Sequence, residues 1–340
     1  MQSTIIAVDL AKSVFQIAVS RRPGKVSESH RLTRSQLLRF FAERQPALVV
    51  LEACGTAHYW ARELQALGHR VQLLPPHEVR SYVHRNKTDR ADAEALLEAH
   101  RNERICKVPV KSLAQQTLAG LHRMRSAWMA DRTARINLLR GLLRELGFSI
   151  PVGARHVVVQ TLGLLEKLPE PLRPVLAEAC QEIGEFEARV AAVEKQLRAL
   201  AKQTPVVERL QSIPGVGLLT ATALVALVGD VQRFPTSRHF ASYLGLTPRE
   251  HSSGLVRRLG AISKAGDSYL RTLMISGARS ALYAASRPKD QPDRLRRWAL
   301  QVHRLRGHNR AAVALANKLA RIVWAVWKHD TRFESQAVPA

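Results

Sequence analysis

Only three cysteines occur in 340 residues, Cys54, Cys106 and Cys180. Their spacing fits neither a disulfide framework nor a zinc site, so a stapled mini-fold is excluded and a reduced, cytoplasmic setting is expected. Acidic residues are scarce as well: 28 Asp and Glu stand against 52 Lys and Arg, for a formal net charge of +24 and a pI near 11.1. No apolar run reaches membrane-spanning length, and no basic-then-apolar leader opens the chain, so no membrane partner is expected. The 13 histidines are scattered without metal-ligand spacing. The turn after Asp9 reads LAKS. It has no glycine-rich phosphate loop, which argues against an actin-like ATPase, although that fold also begins with a strand ending in Asp.

What is present points to a globular protein that binds a polyanion. Hydrophobic residues make up 46% of the chain, too many for a disordered polymer, and the length allows two or three domains. A basic excess of this size favours nucleic acid, because neutralising phosphates releases counterions. Ribosomal and membrane-surface proteins can be as basic, but they are usually shorter or carry a basic tail. Here the charge lies within folded segments. In a bacterium such a protein would meet the chromosome directly, at the nucleoid.

Strand and helix signals alternate over residues 1–100. TIIAVDL and VFQIAVS read as a strand pair, SQLLRFFAERQ as a helix, ALVVLEA as a strand, AHYWARELQALG as a helix closed by Gly68, and VQLLPP as a strand. That alternation predicts an α/β sandwich. Residues 112–147 form one long helical pattern stopped by Gly147 and Pro151. A second runs from about 171 to 203. Its apolar positions, Leu172, Leu176, Ala179, Ile183, Phe186, Val190, Val193, Leu197 and Leu200, alternate steps of four and three. This is the sequence condition for a coiled coil, whose partner would be the 112–147 helix or a second copy of the chain. Charges balance over 151–203, seven of each sign, but 18 Lys and Arg face 6 Asp and Glu over 245–340. That last segment reads as helical. Trp298, Trp324 and Trp327 fall in helical stretches and read as core residues.

Four carboxylates carry the chemistry. Asp9 and Glu52 stand at the carboxyl ends of apolar strands, where open sheets place their sites. Asp89 and Asp92 lie one helical turn apart in KTDRADAEALLEA and project from one face. Taken singly, Asp9 reads as a turn residue and Asp89 as a helix N-terminal residue favoured by the macrodipole. Together they form a donor set for Mg²⁺, a hard ion that prefers oxygen ligands. Two such ions roughly 4 Å apart hold the attacking and leaving oxygens of an in-line displacement. Lys12 and Lys87 read as solvated lysines near that cleft.

Two further segments bear on DNA. LQSIPGVGLLTATALVALVGDVQRF, 210–234, has the helix-hairpin-helix pattern; Gly215 and Gly217 would let backbone N–H groups approach a phosphate at the start of the next helix. The bland alternative is a helical hairpin with a glycine turn. GLTPREHSSGLVRRLGAISKAGDSYLR, 245–271, places Ser252 and Ser253 before Gly254, with Arg249, Arg257, Arg258 and Lys264 around them. A serine hydroxyl beside cations can attack phosphorus. Chemistry alone equally allows a polar loop whose serines cap a helix or touch DNA phosphate.

AVDLAKSVFQIAV, LEACGTAHYW, NKTDRADAEALLE, SIPGVGLLTATALVA and FASYLGLTPREHSSGLVRRLGAISKAGDSYLR, in this order, resemble the DEDD transposases of the insertion-sequence-110 family, RNA-guided serine recombinases. The resemblance covers nearly the whole chain. It implies a RuvC-like, ribonuclease-H-type domain at 1–110 with Asp9, Glu52, Asp89 and Asp92 as ligands of Mg²⁺. It implies a long-helix coiled-coil linker at 111–203 and a mainly α transposase domain with the helix-hairpin-helix at 204–330. A tail at 331–340 completes the chain. It makes the serine of the S-G pair, Ser253, the nucleophile that joins DNA as a phosphoserine, with Ser252 an alternative one residue away. It also implies donor and target DNA, a structured guide RNA that pairs with both, and a homo-oligomer, dimer or tetramer, formed through the coiled coil. The carboxylates and Ser253 would then form a composite site assembled on nucleic acid. Two competing readings remain: a RuvC-like structure-selective endonuclease with water as nucleophile, and a non-enzymatic nucleic-acid-binding scaffold.

Overall fold

A computed structural model describes residues 4–83, 88–287 and 293–334, which divide into two compact units, Met1–Leu113 and Ala114–Ala340. The first is built on a five-stranded mixed sheet of order β3-β2-β1-β4-β5, with β1 Ile5–Asp9, β2 Val14–Ser20, β3 Glu28–Thr33, β4 Leu48–Glu52 and β5 Arg70–Leu74. β1, β4 and β5 run parallel, while β2 is antiparallel to both β1 and β3. No strand is expected over 28–33 from the residues alone. Its half-exposed ESHRLT is polar enough to read as a loop, and it is a strand because β2 offers it an edge.

The two faces of the sheet follow from the period of two. Ile6, Val8, Val49 and Leu51 pack with Phe15, Trp60 and Leu64 on the face covered by α1 (Arg34–Ala42) and α2 (Ala57–Ala66). Ala7, Ala18, Leu48, Val50 and Leu74 point the other way, onto Ala93, Leu96 and Leu97 of α4 (Asp89–Arg101). The four-residue α3 (Pro76–Val79) lies between β5 and α4 in the chain. Thr33 closes a capping box on α1, and the Thr88 hydroxyl accepts the Ala91 N–H at 3.2 Å to start α4. This mixed sheet is consistent with the RuvC-like domain that the resemblance implies.

The second unit is mostly helical: α5 (Leu113–Glu145, opening at the boundary), α6 (Val157–Leu164), α7 (Arg173–Lys202), α8 (Pro205–Gln211), α9 (Leu218–Val228), α10 (Ser237–Tyr243), α11 (Ser268–Ala285), α12 (Arg294–Arg306) and α13 (His308–Lys328). Its main core joins Leu224, Phe240, Met274 and Leu319. Trp298, Trp324 and Trp327 pack half-buried against it. The stretch 248–262, expected to be helical, is instead a two-stranded hairpin of β6 (Pro248–Glu250) and β7 (Leu259–Ile262). Pro248 and the glycines at 254 and 260 disfavour helix there.

The two long helices pair with each other. Arg125 binds Glu194 at 2.7 Å, Arg132 binds Glu187, and Arg135 binds Glu182 at 2.5 Å, so one number falls as the other rises and the helices run antiparallel. Ile136, Leu139 and Leu143 share a small core with Leu176, Cys180 and Ile183. All nine positions of the heptad stripe are buried or half-buried. Of the two partners that the sequence allowed, α5 of the same chain covers the stripe, and a second copy would have to use other faces. No helix among the described residues is long and apolar enough to cross a membrane.

Candidate active site and nucleic-acid interface

Asp9 and Glu52 are placed by strand register. Val8 stands opposite Leu51 in the parallel β1–β4 pair, so the next residues, Asp9 and Glu52, end neighbouring strands at the same level. Glu52 in turn pairs with Leu74, whose side chain packs beneath α4. Residues side by side in register share a face, so both carboxylates belong to the α4 face. On α4, Asp92 continues the sheet-facing stripe of Leu96 and Ala99, and Asp89 lies one turn earlier. A Cβ added at Gly24, in the turn after Ser20, would lie 3.9 Å from the guanidinium of Arg101 at the end of α4. Ser20 pairs with Ile5 at the start of β1, so the last turn of α4 lies at the end of the sheet away from Asp9. The first turn, with Asp89 and Asp92, is therefore directed toward the Asp9 end.

All four carboxylates thus reach one end of the domain, but they do not close into a cage. Among the described residues, no three His, Cys, Asp or Glu side chains are grouped so as to hold a metal ion. The donors suit a hard cation in kind, all being carboxylate oxygens. Lys12 is exposed, and Lys87 lies outside the described residues.

In the second unit, Ser253 and Val256 exchange backbone hydrogen bonds at 3.2 and 3.1 Å around a two-residue turn, Gly254-Leu255. Gly254 has φ +56° and Leu255 is not left-handed, as a type II′ turn requires. The glycine after the serine is therefore demanded by the turn, and it sets both serines near the tip of the β6–β7 hairpin. They differ in their bonds. The Ser252 hydroxyl donates to Glu250 Oε1 at 2.7 Å and accepts the Arg258 N–H at 3.2 Å. The Ser253 hydroxyl makes no hydrogen bond among the described residues and is exposed. Glu250, which the sequence reading did not single out, also meets Arg257 at 3.5 Å. Its place two residues before the serine, on the same strand face, was the available signal. Arg249 donates to the Ser263 carbonyl at 3.2 Å.

Lys264 is exposed in the loop after β7 at φ +55°, one of two non-glycine residues with a left-handed backbone among the described residues. Its N–H donates to the Gly245 carbonyl at 3.2 Å. Gly215 and Gly217 turn out to be unlike each other. Gly215 has φ +84°, and a Cβ there would lie 2.5 Å from the Gly277 carbonyl oxygen on α11; the reciprocal Cβ on Gly277 would lie 1.9 Å from the Gly215 oxygen. Gly217 is exposed at the N-cap of α9, with open space around it.

Residues 6–148 match the family model for DEDD-type IS110 transposases, and 207–292 match the transposase family IS116/IS110/IS902. A probable family 20 transposase of Pseudomonas aeruginosa is 42% identical over 339 residues, covering 97% of this chain and 98% of that protein. This chain belongs to the IS110 transposase family. The transposase for insertion sequence element IS1111A of Coxiella burnetii is 38% identical, across 95% of this chain and 89% of its own. That for IS1328 of Yersinia enterocolitica is 35% identical, across 97% and 98%. The transposase is thus a DNA-cutting and rejoining enzyme, with DNA as its partner. The two family matches fall on the segments that carry the carboxylates and the serine hairpin.

Proposed function

We propose that this transposase breaks DNA by attack of the Ser253 hydroxyl on a phosphodiester. The Oγ–P bond forms as a P–O bond to deoxyribose breaks, the serine proton is lost, and the departing deoxyribose oxygen is protonated. Rejoining reverses the exchange: a DNA hydroxyl attacks the phosphoserine and frees the serine. The observation that carries this reading is the contrast between the two serines. Ser252 is held by Glu250 and the Arg258 N–H, whereas the Ser253 hydroxyl, at an exposed hairpin tip, has no hydrogen bond among the described residues. Arg257, Arg258 and Lys264 supply positive charge for the developing phosphorane.

Asp9, Glu52, Asp89 and Asp92 of a RuvC-like domain would hold Mg²⁺, which supplies charge neutralisation at the phosphate oxygens when bound. By family resemblance, the carboxylates and Ser253 act together only once assembled on nucleic acid. The turn before α9 acts as a helix-hairpin-helix contact to DNA phosphate, through Gly217. By family resemblance, an element-encoded guide RNA selects donor and target. By the same resemblance the protein acts as a dimer or tetramer through the long-helix arm. The exposed Leu138 and Leu142 of α5 give such an assembly an apolar surface.

The test is a denaturing gel of end-labelled donor DNA with the full-length protein. Wild type and Ser252→Ala form a denaturation-resistant protein–DNA adduct; Ser253→Ala forms none and does not cut. Cutting by Ser253→Ala with no adduct in wild type would replace this reading with the water-dependent nuclease. Mixing Asp9→Ala with Ser253→Ala subunits restores cleavage if the site is shared between chains.

A further inference from the structure

Beside the base of the β6–β7 hairpin lies an open groove of about 1050 Å³. One wall is Pro248 and the β7 backbone around Gly260; the other is α13. The α13 wall is one helical stripe. Arg310, Ala314, Asn317 and Arg321 follow steps of four, three and four, with Lys318 beside them. The opposite face of α13 is committed to the core through Leu315, Leu319 and Val323, so the stripe cannot turn inward. Trp298 of α12 forms the floor, and the Lys318 ammonium lies 4.2 Å from its ring centroid.

The charge in the groove is of one sign. Among the described residues, no Asp or Glu borders it, and none of Arg310, Lys318 and Arg321 has a carboxylate partner. Burial, and then the neighbouring Arg294 and Arg321, push the Lys318 pKa down. From Arg310 to Arg321 the stripe spans about 16 Å at 1.5 Å per residue. Its three cations, Arg310, Lys318 and Arg321, can meet about three phosphates of one strand. The volume is only at the top of the range for small-molecule clefts, which suits a few nucleotides of one strand and not a duplex. An aromatic floor below a row of cations is how sequence-tolerant single-strand sites are built.

We infer that this groove binds a short stretch of single-stranded DNA, with its phosphates on Arg310, Lys318 and Arg321 and a base directed at Trp298. The inference rests on DNA as the substrate of the enzyme, and it adds a strand-holding site next to the serine. Ser253 stands three residues beyond Glu250 along the hairpin, about 10 Å at 3.4 Å per residue. Leu259 on the groove wall pairs with Glu250, so the groove ends about 10 Å from the nucleophile along the hairpin.

The test measures fluorescence anisotropy of a fluorescein-labelled single-stranded oligodeoxynucleotide with full-length protein across a salt series. Parallel arms use the annealed duplex and the RNA of the same sequence. Arg310→Ala with Arg321→Ala, both exposed and unpaired, is compared with Arg304→Ala plus Arg306→Ala. That second pair lies on α12 outside the groove and makes the same charge change. The groove pair weakens single-strand binding roughly tenfold and flattens the log–log salt slope by about 1.4, two contacts at 0.7 each. Ala314→Glu, which places a carboxylate on the wall, does the same. Equal losses from both pairs would show only general charge attraction and overturn the site. So would losses confined to the duplex or the RNA. The serine adduct on donor DNA is read separately in wild type, so its absence counts against the proposed chemistry and not against the groove.

Discussion

Replacing Gly215 by alanine separates the two explanations of the turn before α9. If both glycines serve phosphate, alanine at either weakens DNA binding. The structure gives them different tasks. At Gly215 an added Cβ meets the Gly277 carbonyl oxygen at 2.5 Å and the Ala281 Cβ at 3.2 Å, on a backbone with φ +84°. A left-handed alanine costs about 1–2 kcal/mol. Relieving the overlap by moving α11 away adds about 1–3 kcal/mol, as for other overpacked sites. The total, roughly 2–5 kcal/mol, is a large share of a stability of about 5–15 kcal/mol. For a unit of this size it lowers Tm by about 4–20 °C. Gly217→Ala meets open space, and exchanging a glycine N-cap for alanine costs under about 1 kcal/mol. Thermal melts followed by circular dichroism, with DNA anisotropy on the same samples, read both. Gly215→Ala should melt early; Gly217→Ala should melt nearly as wild type and bind DNA more weakly. A Gly215→Ala protein that melts within a degree or so of wild type would refute the close approach of the turn to α11. Unchanged DNA binding by Gly217→Ala would remove the phosphate role from this turn.

Other perturbations test other parts. Asp9→Asn or Glu52→Gln should abolish DNA cleavage while leaving the melt within about 1 kcal/mol of wild type, measured by urea titration. Lys264→Gly removes a left-handed lysine, a gain of about 1–2 kcal/mol less the roughly 0.5–1 that glycine loses to chain entropy. The variant should hold or raise its urea midpoint and yet bind DNA less well. His122 is buried between Tyr269 Oη at 2.9 Å and Thr222 Oγ1 at 3.0 Å, and burial, then Arg125, push its pKa down from 6.5 to about 4. The Thr222 hydroxyl already donates to the Leu218 carbonyl at 2.7 Å, so Nε2 donates to Thr222 and Nδ1 accepts from Tyr269. Because the folded pKa lies below the unfolded one, the unfolded chain binds the extra proton. Stability is complete above about pH 6.5 and drains as pH falls toward 4, by about 2 kcal/mol at pH 5. His122→Gln should flatten that slope in urea midpoints; an unchanged slope would show that His122 does not cause it.

Much of the first unit was legible. The alternation of Ile6, Ala7 and Val8, and of Val49, Val50 and Leu51, marks buried strands, and TDRADAEALLEA carries its own N-cap in Thr88. Such signals are local, within a few residues of what they specify. β3 was missed because ESHRLT has no apolar stripe and becomes a strand only when β2 supplies hydrogen bonds. The β6–β7 hairpin was missed for a related reason. Its strands are short, exposed and polar, and its one strong signal, Gly254 at the turn, is equally at home in a loop. The heptad stripe of α7 was plain, but periodicity says only that a helix needs a partner. The antiparallel ion pairs with α5 give the answer, because only those put Arg125, Arg132 and Arg135 opposite Glu194, Glu187 and Glu182.

The residue order alone determined the chemistry on offer: four carboxylates at strand ends and on one helix turn, a serine before a glycine, and an excess of cations that calls for phosphate. These are properties of side chains and of short-range periodicity, and folding does not alter them. Tertiary structure decided which groups meet. Register between β1 and β4 set Asp9 beside Glu52, the Glu250 contact distinguished Ser252 from Ser253, and the approach of α11 gave Gly215 a packing role. Those choices depend on segments dozens of residues apart, and they are fixed by backbone hydrogen bonding and close packing that no local pattern encodes.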